Sequence, residues 1–267
     1  MNLTIIQFGL KKNIKIIIIW SVIWALMSVM TLALFTSIKE QASQLEDLLS
    51  SYPESILEAF GTTATSLTTV EGFYSSQVLS LLLLAGGIFA VYLGVNSTGK
   101  EISDKSISFL LSRPIGRYTI YFSKMFVSIL LLITTNLIIY AISIAGIPLF
   151  TEEAIPWNYF FSVCIVSVLF QLTFLTLGQG LSVIIGDGKS TAFGAALAII
   201  TLIIDAISGL DGVPAFVKYL TPYHYVDLTY ITTDSAIKSP EFLFFVVSAL
   251  LFASIGAFAF KKKDIEI

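Results

Sequence analysis

Charge is scarce in this sequence. Only 12% of its 267 residues are Asp, Glu, Lys or Arg, against 56% hydrophobic residues, and the mean hydropathy is +0.88. A soluble domain of this length needs about twice that charge to keep its surface wet. Cysteine is almost missing too: Cys164 stands alone, which excludes an intrachain disulfide. With His224 the single histidine, a histidine-based metal site of the membrane-protease kind lacks its ligands. The pair Glu152–Glu153 has no arginine or histidine following at helical spacing and reads as solvated loop charge. A phosphate-binding loop is absent as well. "VIIGDGKS", residues 183–190, ends like one, but Val183 stands where the first glycine must be, and the stretch closes an apolar run. Gly186–Ser190 therefore reads as a tight turn with Ser190 as N-cap of the helix that follows. No motif for nucleotide hydrolysis, and no nucleophile elbow, is left.

What is present is long blocks of apolar residues. A helix crosses a bilayer with roughly 20 residues, and six blocks reach or approach that length: 16–35, 78–95, 126–147, 159–185, 191–207 and 242–260. The expected fold class is an all-α integral membrane protein of six transmembrane helices, in one domain over 1–267. The first block has no evident small-residue cleavage site and is too long for a signal peptide's apolar region. Lysine and arginine divide unevenly between the two sides of this arrangement. Lys11, Lys12, Lys15, Lys100, Lys105, Arg113, Arg117, Lys124, Lys189 and Lys261–Lys263 fall on one side; Lys39, Lys218 and Lys238 fall on the other. The basic side, with both termini, is expected to be cytoplasmic. Ahead of the first span, Leu3, Ile6 and Leu10 recur at helical spacing before a lysine pair, so residues 1–13 suit an amphipathic helix lying on the inner surface. Outer loops are expected over 37–76, with short helices at "KEQASQLEDLLSS" and "PESILEAF", and over 209–241, whose aromatic residues suit a membrane–water interface.

Between the second and third spans lies a polar, basic island, "GKEISDKSISFLLSRPIGRY", residues 99–118. Glu101 and Lys105 are four apart, in the order that favours a surface pair on a helix. Ile107, Leu110 and Leu111 form an apolar stripe at i, i+3, i+4. Pro114 ends the helix. Two readings suit these residues: a solvated loop helix with snorkelling lysines, or a short helix that offers apolar knobs to a partner.

This island resembles the cytoplasmic segment of type-2 ABC transporter permeases, the six-span subunits that pair with a separate ATPase. Glu101 occupies the family's glutamate position, Leu110 and Leu111 its leucines, and Ser112, Arg113 and Pro114 follow, with Arg117 as the later basic residue. Lys105–Ser106 departs from the frequent glycine–threonine. "KYLTPYHYVD", residues 218–227, is similar to the proline–aromatic segment before the last span, and "FKKKDIEI", residues 260–267, to the basic–aspartate ending. The resemblance implies that 101–114 is a coupling helix docking in a groove of the ATPase, through Glu101, Lys105, Ile107, Leu110, Leu111, Ser112, Arg113, Pro114 and Arg117. It implies two ATPase copies, which would bind the ATP and magnesium, a second permease copy forming a homodimer, and residence in a bacterial cell membrane. No cofactor is expected in this chain, and no nucleic acid, because the basic residues are spread along the inner membrane surface.

Polar residues inside the spans are few: Asn136, Gln171, Gln179 and Asp205. Each suits a substrate path. Asn136, Gln171 and Gln179 equally suit bonds between helices, and Asp205 equally suits the interface at the outer end of its span. The leading function is the membrane half of an ATP-driven exporter; the alternative is an ion-gradient-driven secondary transporter, which calls for mid-membrane charges and broken helices in related halves. Spans this poor in charge favour an amphipathic or hydrophobic cargo, an antimicrobial or toxin peptide among them.

Overall fold

A computed structural model describes residues 3–40, 69–104, 107, 115–210 and 213–263. Among these, all regular structure is helical. The helices are α1 (Leu3–Glu40), α2 (Val70–Ser103), α3 (Arg117–Phe150), α4 (Trp157–Ile184), α5 (Asp187–Ser208), a short α6 (Leu228–Asp234) and α7 (Ser239–Lys262). All but α6 are long and apolar enough to cross a membrane. The six expected spans each fall on one of them, and the helices run further. α1 has 38 residues, about 57 Å at ~1.5 Å per residue, against ~30 Å of hydrocarbon. The surface helix expected over 1–13 and the first span are thus one continuous helix from Leu3, because nothing between Leu3 and Trp20 breaks helical geometry. The loop expected over 37–76 is shorter than its expected bounds, since α1 reaches Glu40 and α2 begins at Val70. Its expected short helices lie almost wholly outside the described residues.

The hydrogen bonds fix how the helices run. Thr36 of α1 donates to the carbonyl of Phe150 at the end of α3 (3.0 Å), so α1 and α3 finish together. Ser75, near the start of α2, meets the Tyr159 hydroxyl near the start of α4 at 2.6 Å. At the other end, Lys124 of α3 donates to the Ser97 carbonyl of α2 (3.0 Å), and Lys263, just past α7, to the Val183 carbonyl of α4 (2.5 Å). The helices therefore alternate up and down. Lys11, Lys12, Lys15, Lys100, Arg117, Lys124, Lys189 and Lys261–Lys263 gather at one end, here the basic end; the other is the distal end.

α4 is the centre of the bundle, packed between α2 and α7, and two glycines make that possible. A Cβ on Gly178 would lie 2.6 Å from the Val91 carbonyl oxygen of α2. Two residues on, which is about 200° around a helix, Gly180 faces Gly256 of α7, where a Cβ would lie 3.6 Å from the Gly256 Cα. Small residues on opposite faces let both neighbouring backbones approach, which is how helices associate in lipid, where apolar side chains gain little from leaving the solvent. α1 lies along α3 and reaches α2 through the stacked rings of Trp20 and Phe89, 4.5 Å apart.

α2 carries one turn of π-helix, Ser75–Leu79. Beside it, the buried Tyr74 hydroxyl bonds Ser143 of α3 (2.8 Å) and Ser28 of α1 (3.4 Å). The α4–α5 turn is set by Gly186, at φ +102°. α5 starts directly after it, so Ser190 is not the N-cap: it sits within the first turn and its hydroxyl donates back to the Gly186 carbonyl. Segment 209–241 folds over the distal end as two 3₁₀ turns, Val217–Leu220 and Tyr223–Tyr225, followed by α6. Tyr223 is buried against Phe170 of α4 (4.9 Å between rings), and Tyr225 stacks on Phe244 of α7 (3.7 Å).

Candidate functional site at the basic end

The connection between α2 and α3 holds the candidate docking residues, and the structure shows what it is mounted on. Lys124, two turns into α3, is buried at 6% exposure, with its ammonium between two groups of α2: the Glu101 carboxylate, with which it forms an ion pair, and the Ser97 carbonyl. Glu101 is itself 17% exposed. Glu101 thus has a partner on another helix, and the surface pair expected between Glu101 and Lys105 involves a residue outside the described ones. Lys105 lies outside the described residues, as do Leu110, Leu111, Ser112, Arg113 and Pro114.

One turn along α2, Thr98 is also engaged. Gln179 of α4, fully buried, donates through Nε2 to the Thr98 hydroxyl (3.1 Å) and to the Tyr121 carbonyl of α3 (3.2 Å). Gln179 thus ties three helices at this end, as its reading as a bond between helices expects.

Ile107 was expected as an exposed knob for a partner. It is helical and fully buried instead, in a small core made by Ile120 and Tyr121 of α3, Val183 of α4, and Ala257 and Phe260 of α7. An apolar residue in the stripe can face the bundle as well as a partner, and three helix ends converge to receive this one. Arg117 is engaged within the chain too. Its Nη1 donates to the carbonyls of Lys261 (3.0 Å) and Lys263 (2.6 Å) at the end of α7. A guanidinium there satisfies carbonyls that the last helical turn leaves open and sits at the negative end of the helix dipole.

Residues 10–265, nearly the whole chain, match the family described as ABC-2 family transporter protein. The chain belongs to the ABC-2 transporter family. It is a multi-pass membrane protein and a membrane transport component of the ABC permease kind. No curated protein matches it. The type-2 permease resemblance read from the island, the proline–aromatic segment and the C-terminal motif is thereby borne out at the level of the family.

Within this ABC-2 chain, the other polar span residues also bond inside the fold. Asn136 of α3 and Gln171 of α4 are buried and paired, with Asn136 Nδ2 donating to Gln171 Oε1 at 2.8 Å. Gly86 of α2 makes room for the pair: a Cβ there would lie 2.5 Å from Gln171 Nε2. Asp205, near the distal end of α5, accepts a hydrogen bond from the Thr221 hydroxyl (2.7 Å), and that hydroxyl in turn accepts the His224 N–H (3.1 Å). Asp205 thus fastens the distal segment to α5. In the same segment, Asp227 caps α6 by accepting from the Tyr230 N–H (2.9 Å) and pairs with Lys238 (2.5 Å). Partial burial works against ionising Asp227, but Lys238 and the Tyr230 amide outweigh it and hold the carboxyl below its ordinary range. His224 is pushed the other way, below the ordinary imidazole value, by burial and by Lys218.

Sequence reading missed Lys124 as a site residue, counting it only among the basic residues of one side. A lysine two turns into a span, seven residues after Arg117, was the available signal, since a charge at that depth needs a partner.

Proposed function

We propose that this ABC-2 chain is the membrane subunit of an ATP-driven exporter in a bacterial cell membrane. It works as a homodimer with two copies of a separate ATPase that binds ATP and magnesium. The basic end faces the cytoplasm, and the connection around residues 104–116 docks on the ATPase. The observation that carries this reading is the mounting of that connection. The helices at its two ends, α2 and α3, are tied to each other by the Glu101–Lys124 ion pair, and Ile107 is bedded among α3, α4 and α7, so a push on it reaches four helices as a rigid-body displacement. Ile107 then anchors the docking element from within, and Leu110 and Leu111 make the outward contact. The buried pairing of Asn136, Gln171 and Gln179 leaves the cargo a route between two copies, and the apolar outer faces of the helices suit an amphipathic or hydrophobic cargo such as an antimicrobial or toxin peptide.

The test is capture of the co-expressed, tagged ATPase. Replacing Leu110 and Leu111 together by Ala is expected to weaken capture at least tenfold, since interface anchors are each worth about 1–2 kcal/mol or more, with the helical content unchanged. Normal capture and normal ATP-dependent export by that variant would remove the docking assignment. Sidedness is read separately. In a Cys164→Ser background, a cysteine at Ser51 is expected to react with an impermeant maleimide added to intact cells, and one at Ser106 is not. Labelling of both from outside would overturn the six-span arrangement.

A further inference from the structure

Breaking a buried ion pair usually costs stability, but having one rarely adds much, because desolvating two charges offsets most of their attraction. The Glu101–Lys124 pair is therefore poorly explained as a stabilising contact, and its placement suggests another role. The two residues bracket the α2–α3 connection, Glu101 in the last turn of α2 and Lys124 two turns into α3. One ammonium reaches both the Glu101 carboxylate and the Ser97 carbonyl, four residues apart on α2. Two contacts one helical turn apart oppose both sliding and rotation of α2 against α3. Apolar burial is non-directional, whereas a charge-assisted hydrogen bond out of water holds one geometry.

We infer that Glu101 and Lys124 are a positioning pair for energy coupling: they lock the end of α2 to the start of α3, so that force on the connection moves the helices and is not absorbed as slippage between them. This rests on the proposed ATP-driven function. Neither residue is assigned contact with cargo or nucleotide. With the tie removed, the connection would still bind its partner, and the distal end would no longer follow.

The experiment uses the full chain with its co-expressed ATPase, in lipid nanodiscs, where reagents reach both faces, and compares Glu101→Gln, Lys124→Met and the double variant. Each carries a reporter cysteine, Glu152→Cys or Thr233→Cys, in the Cys164→Ser background; both reporter positions are exposed at the distal end. The readout is the rate of labelling by an impermeant maleimide with and without ATP plus vanadate, which traps the ATPase. In the otherwise unaltered chain, trapping is expected to change that rate about fivefold or more, the lower range of coupling between distant sites. The single variants each leave one charge buried without its counter-ion and are expected to lower the yield of folded protein. The double variant carries neither charge. It is expected to regain the yield and to capture the ATPase as before, yet to respond to trapping less than about twofold, below the roughly fivefold at which coupling between sites typically starts.

A double variant that responds like the parent would overturn the inference. So would a double variant that fails to fold or to capture the ATPase, because the pair would then be an ordinary structural contact. A parent chain that captures no ATPase, or whose distal cysteines ignore trapping, would instead overturn the ATP-driven function on which the inference rests.

Discussion

α4 and α5 are consecutive in the chain, joined at Gly186, and nearly equal in apolar character, with mean hydropathy of 2.2 and 2.0 over their spans. Their surroundings differ sharply. In the most apolar stretch of α4, 61% of residues are buried within the chain; in α5 the figure is 17%. Hydropathy does not separate the two helices, but their small and polar residues do. α4 carries Gly178 and Gly180 on opposite faces, and buried Ser167, Gln171, Thr173, Thr176 and Gln179 between them. α5 turns Gly194 and Ala198 toward the bundle and leaves Phe193, Ile199, Ile200, Ile203 and Ile207 exposed. In lipid, close backbone approach and hydrogen bonds select neighbours, so polar residues within these spans mark the interior of the fold. That is why Asn136, Gln171 and Gln179 bind helix to helix, one of the two roles their place in the spans suits.

The largest expected effect tests the crowded side of that contrast. Gly178→Val would place its Cβ 2.6 Å from the Val91 carbonyl oxygen and 2.9 Å from the Val91 Cα. Those are backbone atoms, which cannot swing aside. Overpacking costs about 1–3 kcal/mol where side chains can adjust, and here α2 and α4 must separate, so the cost is expected at or above about 3 kcal/mol. Thermal unfolding of the detergent-solubilised protein, followed by tryptophan fluorescence, should show little folded variant. A melting temperature within a few degrees of the parent would show that α2 and α4 are not in backbone contact.

A smaller effect is expected at the buried amides. Gln171→Leu removes the acceptor of the Asn136 amide and leaves a buried donor short of a partner, at a cost of about 1–3 kcal/mol. Asn136→Leu should cost a similar amount, and the two changes together less than their sum, because the double variant leaves no orphaned group from this pair. Strict additivity in the same unfolding measurement would mean that the two side chains do not meet.

The fold was largely legible in the sequence and the site was not, for a physical reason visible in particular residues. A span announces itself locally, since about 20 consecutive apolar residues have few alternatives to a membrane helix, and all six were found. Their ends were less legible, because Lys11, Lys12 and Lys15 close the apolar run without breaking the helix, and α1 continues through them. Partner choice is not local. Glu101 forms an ion pair with Lys124 of another helix, which sequence spacing alone does not single out. The stripe of Ile107, Leu110 and Leu111 likewise fixes a shared helical face, without saying whether that face meets a partner or the bundle. The structure answers for Ile107 by burying it.

The smallest effects sharpen the contrast from the α5 side, at two glycines two residues apart. Gly186 links the helices at φ +102° and ψ 162°, a conformation that residues with a Cβ rarely adopt. Gly186→Ala is therefore strained despite the open space around it, and a cost of about 1 kcal/mol or more is expected. Gly188 lies in the first turn of α5, exposed, and a Cβ built there meets nothing within 4 Å. An added methyl group clashes with nothing and removes only the freedom that glycine has in the unfolded chain, so Gly188→Ala should stabilise the protein by about 0.4–1 kcal/mol. Opposite shifts in melting temperature for the two alanines, the Gly188 variant rising and the Gly186 variant falling, are the expected result. A fall at Gly188 comparable to that at Gly186 would mean that the start of α5 is covered by something the chain itself does not provide, and a second copy of the chain or the ATPase would be the first candidates to test by repeating the measurement on the assembled complex.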